Sequence, residues 1–196
     1  MPLVVGLGNP GASYERTRHN VGWRVLEALD ARWRAAPGET TPVYHARHAS
    51  IGGQAVDLMW PRTFMNLSGE AVMTWKGRYE LEVPALLVIS DDVYLPVGAL
   101  RMRSRGSSGG HRGLESIETS LGTREFARLR IGVGHVDASG LREHVLEQFD
   151  ELEEAAMTEV IARAAEAAEC WVLEGPVPAM NRFNRKLDQD QETEAP

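Results

Sequence analysis

Apolar and polar positions along this 196-residue chain switch between strand and helix periods. Leu3-Val4-Val5 is a short apolar run of the kind that forms a buried strand. It breaks at Gly6-Leu7-Gly8-Asn9-Pro10-Gly11, where glycines allow positive φ and Pro10 fixes its own φ and removes a donor. Val21, Val25, Leu29 and Trp33 then recur at helical spacing, with Asn20 as the expected N-cap and Pro37-Gly38 as the stop. Glu39-Thr40-Thr41-Pro42 has no apolar anchor and reads as a loop. Val43 to Ile51 and Gln54 to Trp60 are strand-like and joined by Gly52-Gly53, a hairpin signal. Ser68 is expected to cap a helix reaching about Tyr79, acidic early at Glu70 and basic late at Lys76 and Arg78.

Leu86 to Ile89 predicts a fully apolar strand ending at Ser90-Asp91-Asp92. From Ala99 to Arg105, Leu100 and Met102 alternate with Arg101, Arg103 and Arg105, as in a half-buried strand. Gly106 to His111 is a loop, Leu114 to Leu121 a helix stopped by Gly122, and Arg128 to Gly134 another strand. Asp137 to Phe149 reads as a mobile segment holding a short helix. Leu152 to Leu173 is a long helix with a stripe including Ala156, Val160, Ala164 and Trp171, and Ala179 to Leu187 is a last short one. Strands alternating with helices predict one α/β domain over residues 1–187, three layers with a twisted mixed sheet flanked by helices. Residues 188–196 form a charged tail without apolar anchors, expected to be disordered.

Composition narrows the class. The hydrophobic fraction of 43% and charged fraction of 25% are those of a soluble globular protein. No apolar run approaches a membrane span of about 20 residues. Met1-Pro2 leads straight into the first strand, with no signal peptide. Cys170 is the only cysteine, which fits a reducing cytoplasmic setting and the role of a small core residue. The net charge of -7 argues against general nucleic-acid binding, but its distribution does not. Arg101, Arg103, Arg105, Arg112, Arg124, Arg128 and Arg130 fall in one stretch opposed only by Glu115, Glu118 and Glu125. A locally basic face on an acidic protein suits a phosphate-bearing partner bound at one place.

The chemistry-bearing candidates are Asn9, His19 and Asp91, each at a predicted strand end or in an adjoining loop. Such ends converge on one crevice in an open α/β sheet. A carboxylate beside an imidazole fixes its tautomer and makes a base at neutral pH. Water is then the expected nucleophile, with Asn9 orienting it or donating to an oxyanion. Gly6, Gly8 and Gly11 match G-x-G-x-x-G, but the dinucleotide fingerprint needs a helix inside the glycine run, and here the helical period begins near Val21. Gly106 to Gly110 matches G-x-S-x-G around Ser108, but the loop continues to Gly113, against a nucleophile elbow. His45 and His48 lack a matching ligand set, so no metal is expected.

VVGLGNPG (Val4 to Gly11), YERTRHNVG (Tyr14 to Gly22), TFMNLSGEAV (Thr63 to Val72), DD with LPVG (Asp91 to Gly98), GSSGGHRGLESI (Gly106 to Ile117) and RLRIGVGH (Arg128 to His135) occur in that order. Together they resemble the bacterial-type peptidyl-tRNA hydrolases over most of the chain. The resemblance implies that fold and a cofactor-free, metal-independent esterase cleaving peptide from the tRNA 3′-ribose. It implies His19 as general base, Asp91 as its carboxylate, and Asn9 as an aligning group. Asn66 and Met65 would meet the peptide, and Tyr14, Asn20, His111 and Arg112 would complete substrate binding. Arg103 and Arg130 would clamp the tRNA 5′ phosphate, with Arg101, Arg105 and Arg128 extending a basic face along the acceptor stem. The resemblance also implies a monomer, and residues 137–149 are expected to act as a lid. Arg112, Tyr94 and Val136 depart from the family's usual Asn, acidic residue and Pro. The alternative carried forward is an RNA-binding relative that kept the fold and lost hydrolysis.

Overall fold

The structure, a computed structural model, describes residues 1–135 and 140–184; the expected tail at 188–196 lies outside them. Among the described residues seven strands form one mixed sheet: β1 (Leu3–Gly6), β2 (Ala36–Thr40), β3 (Tyr44–Ile51), β4 (Gln54–Pro61), β5 (Leu86–Asp92), β6 (Leu100–Arg103) and β7 (Ala127–Gly132). Their spatial order is β2-β3-β4-β1-β5-β7-β6. The central four, β4, β1, β5 and β7, are mutually parallel, and antiparallel strands flank them at both edges. The helices are α1 (Val21–Trp33), α2 (Ser68–Tyr79), α3 (Arg112–Leu121), α4 (Leu141–Leu146), α5 (Glu151–Glu174) and α6 (Pro176–Phe183).

Two apolar layers sandwich the sheet. Val25, Leu26 and Leu29 of α1 and Val160, Ile161 and Ala164 of α5 cover Val4, Leu87, Ile89 and Leu129. On the other face, Ala71, Val72 and Trp75 of α2 and Leu114 and Ile117 of α3 cover Leu3, Val5 and Val88. The odd–even alternation along β1 and β5 therefore feeds both layers, and their sequences read as continuous apolar runs. After β1 the chain crosses to one side, toward β4; after β5 it crosses to the other, toward β7. The C-terminal ends of β1 and β5 thus flank a switch point, where a doubly wound sheet opens a crevice.

Three expectations are corrected. Residues 36–40 are strand β2, where a helix stop at Pro37-Gly38 and a loop from Glu39 were expected: its residues are mostly exposed, so no apolar period marked it, and its edge position accommodates Pro37. Ser68 begins α2 rather than capping it, its hydroxyl donating to the Met65 carbonyl at 2.8 Å. Asn20 precedes α1, but its side chain caps nothing. What brings α1 close is Gly22: a Cβ there would lie 2.5 Å from the Leu7 nitrogen and 2.6 Å from the Ile89 carbonyl oxygen. Only a residue without a side chain lets the helix start rest on the ends of β1 and β5, and the turn before it carries His19.

Candidate active site

At the switch point the loop after β1, the last turn of β5 and the start of α3 meet around a cleft of about 500 Å³. His19, in a 3₁₀ turn ahead of α1, directs Nδ1 at Asp91 Oδ1, 2.8 Å away. Asp91 is 1% exposed at the end of β5. The same oxygen receives His111 Nε2 at 2.8 Å. His111 is the N-cap of α3, its Nδ1 accepting from the backbone N–H of Gly113 (3.1 Å) and Leu114 (3.3 Å). A nitrogen that accepts two N–H groups carries no proton, so His111 holds its proton on Nε2 and donates it to Asp91. His19 likewise donates from Nδ1, which leaves Nε2 as the lone pair available in the cleft.

The electrostatics follow the geometry. Burial lowers the His19 pKa, but the Asp91 charge and hydrogen bond more than reverse this, while Arg112 pulls it down; the net result lies above the ordinary imidazole value. Burial would raise Asp91, yet His19 and His111 hold it well below the usual carboxylate range. The cluster His19, Asp91 and His111 has the proximity of a metal ligand set. Its short contacts are accounted for without an ion: His111 Nε2, protonated by the argument above, has no lone pair to give.

Asn9 and Asn20 form a second locked pair. Asn20 Oδ1 accepts from the Asn9 backbone N–H at 2.8 Å, and Asn20 Nδ2 donates to the Asn9 carbonyl at 3.0 Å. Asn9 Oδ1 in turn accepts from the Met65 backbone N–H at 2.8 Å. The Asn9 Nδ2 hydrogens are therefore what that side chain can offer to the cleft it lines. Tyr14, Phe64, Met65 and Asn66 form one wall, with Tyr14 edge-on to Phe64 at 6.5 Å. Leu141, Arg142, Val145 and Leu146 supply the α4 side of the cleft. Of the expected lid, residues 137–139 lie outside the described residues, and the described part supplies this side.

The candidates divide accordingly. His19, Asp91, Asn9, Tyr14, Met65, Asn66, His111, Arg112 and Arg130 all line the cleft. Asn20 does not: it is 0% exposed and serves Asn9, so it is corrected from substrate contact to support. His111 lines the cleft with both ring nitrogens bonded to the protein, Nε2 to Asp91 and Nδ1 to the start of α3. Arg128 is corrected from the basic face: its side chain is buried under α3, bonded to Glu118 Oε1 at 3.0 Å and to the carbonyls of Arg124 and Phe126. Arg130 pairs with Asp92 at 3.0 Å. Arg101 and Arg103 are exposed on edge strand β6, and Arg105 beyond it reaches Glu125 at 3.5 Å. Ser108 is not among the residues lining the cleft; it sits in the loop that precedes α3, which starts only at Arg112, so no helix follows the serine directly. The α4 side chains were not singled out beforehand, although Leu141 and Val145 share a helical face.

The family model for peptidyl-tRNA hydrolase matches residues 3–192. A peptidyl-tRNA hydrolase of Chloroflexus aggregans is 47% identical over 190 residues, covering 94% of this chain and 99% of its own. That of Desulforamulus reducens is 43% identical over 186 residues, covering 95% and 90%. The crystal structure of the Acinetobacter baumannii peptidyl-tRNA hydrolase superposes with a TM-score of 0.87 at 34% identity, covering 94% of each chain. By sequence over nearly its whole length and by fold, this chain belongs to the peptidyl-tRNA hydrolase family.

Proposed function

We propose that the chain hydrolyses the ester joining a peptide to the 3′-ribose of tRNA, with His19 as general base. The observation that carries this is the 2.8 Å bond from His19 Nδ1 to buried Asp91, which leaves Nε2 basic at the cleft. Nε2 takes a proton from water as its oxygen attacks the ester carbonyl. The tetrahedral intermediate then expels the ribose 3′-oxygen, which receives that proton from the imidazolium. Peptide carboxylic acid and free tRNA are the products. Asn9 Nδ2 is placed to hold the water or the developing oxyanion. Asn66 offers hydrogen bonds to the peptide backbone, and Tyr14, Phe64 and Met65 an apolar wall for its side chains. A ribose ester is more reactive than an amide, so general-base catalysis of roughly 10²–10⁴ with positioning and electrostatics is adequate chemistry.

For the tRNA, Arg103 with Arg101 on the exposed β6 edge is placed to meet phosphates, with Arg130 at its border with the cleft. Such contacts read backbone and shape in an acceptor stem. The test is deacylation of N-acetyl-aminoacyl-tRNA by wild type and His19→Ala. Turnover that falls by orders of magnitude in the variant is expected. Binding of tRNA without deacylation by wild type would identify an RNA-binding relative instead.

A further inference from the structure

We propose that Arg18 is a positioning residue that fastens the α4 side of the cleft to the turn carrying His19, so that the base and the α4 wall keep one spacing. The inference rests on the hydrolase reading above. Arg18 immediately precedes His19 and is 7% exposed, although it bears a full charge. Its side-chain partners lie in the strap of chain that leaves α4 and in the first turn of α5. The Arg18 backbone N–H donates to the Glu147 carbonyl at 3.0 Å, and Thr17 bridges to Gln148 beside it. The guanidinium donates from Nη1 to the Gln148 carbonyl at 2.8 Å and from Nη2 to Glu153 Oε2 at 2.7 Å. It lies 5.1 Å over the Phe149 ring.

The strap needs such a fastening. No residue of α4 is buried, so the core does not hold it. On its other side His144 Nε2 meets the Val133 carbonyl at 3.0 Å. Glu153 extends the lock, because the same Oε2 accepts the Asp150 N–H at 3.0 Å and closes the capping box that starts α5. One guanidinium thus joins the His19 turn, the exit of α4 and the start of α5. Its planar fork can address a carbonyl, a carboxylate and a ring at once; a lysine ammonium cannot span the three. Displacement of a positioned wall by about 1 Å can cost on the order of a hundredfold in rate.

The experiment is a double-mutant cycle in kcat/KM for N-acetyl-aminoacyl-tRNA, pairing Arg18→Gln with Val145→Ala. Arg18→Gln alone is expected to lower kcat/KM by about tenfold to a hundredfold, and Arg18→Lys by less. In the pair, the Arg18→Gln loss should shrink, since a wall stripped of its contacts has less position to lose. The acidic limb of the pH profile should stay in place, because the guanidinium bonds none of the His19 ring atoms. If Arg18→Gln does not fold, Glu153→Gln, which removes the charge from the same lock, takes its place in the cycle. Losses that simply multiply, a displaced acidic limb, or a lowered thermal midpoint with unchanged kcat/KM would each overturn the proposal. Absence of wild-type deacylation would instead refute the hydrolase reading.

Discussion

Replacing Asp91 by Asn tests the site at its centre. The aspartate does two things for His19: it accepts the Nδ1 proton at 2.8 Å, and it holds the ring pKa up against burial and Arg112. Asn removes the charge and leaves both opposing influences, so the His19 pKa should fall. A base is active when unprotonated, so wild-type kcat/KM should fall as pH drops through a pKa above the ordinary imidazole value of about 6.5. In Asp91→Asn that acidic limb should move to lower pH. The plateau should fall as well, because an amide can turn its NH₂ toward Nδ1 and stabilise the tautomer with the proton on Nε2, the wrong nitrogen. The corresponding change in the serine-protease triad costs about 10⁴, and general-base catalysis is worth roughly 10²–10⁴, so a loss within that span is expected. Arg112→Asn supplies the opposite sign: without its lowering influence the limb should move to higher pH. Deacylation of N-acetyl-aminoacyl-tRNA across the neutral range measures all three. An Asp91→Asn limb that rises or stays, or a plateau loss below tenfold, would refute the reasoning.

His111→Ala should lose both the second donor to Asp91 and the α3 cap, the latter worth about 0.5–2 kcal/mol; His111→Asn should recover the cap, seen in the urea midpoint, but not kcat/KM. Arg103→Ala should reduce the slope of log affinity for tRNA against log salt by about one unit. Arg128→Met should leave that slope unchanged while destabilising the fold, toward the lower end of about 3–5 kcal/mol because Arg124 also pairs with the stranded Glu118. Gly22→Ala sets a Cβ against backbone atoms at 2.5 and 2.6 Å; it should cost about 1–3 kcal/mol and lower turnover by moving the His19 turn.

The elements with strong apolar periods were legible in the sequence. The Val21, Val25, Leu29 and Trp33 spacing gives α1, and Gly52-Gly53, with φ of 55° and 80°, gives the β3–β4 hairpin. What escaped was β2, whose stability comes from pairing with β3 rather than from burying its own side chains. The arginines show the same limit. Arg101, Arg103, Arg128 and Arg130 occupy one face of the β6–β7 pair, and Arg101 stands opposite Arg130 and Arg103 opposite Arg128. Alternation cannot say that α3 covers only part of that face, which turns Arg128 into an interior ion pair and leaves Arg103 exposed.

Within the cleft, the His19–Asp91 pairing could be anticipated because Asp91 ends one parallel strand and His19 lies between the end of another and the helix that follows it. The role of His111 could not, because it depends on the direction of hydrogen bonds. The N–H groups at the start of α3 claim His111 Nδ1; that places a proton on Nε2; that proton occupies Asp91 Oδ1 from one side, and His19 approaches the same oxygen from the other. The amides of Gly113 and Leu114 thus help to decide which nitrogen of His19 is the base, through two side chains and across about ninety residues of sequence. A residue in a glycine-rich loop looks exposed and available when read alone. Once the helix that follows needs a cap and the strand beside it carries a buried carboxylate, the same imidazole becomes the fixed end of a relay of orientation, and only the ring at the other end is left to accept a proton.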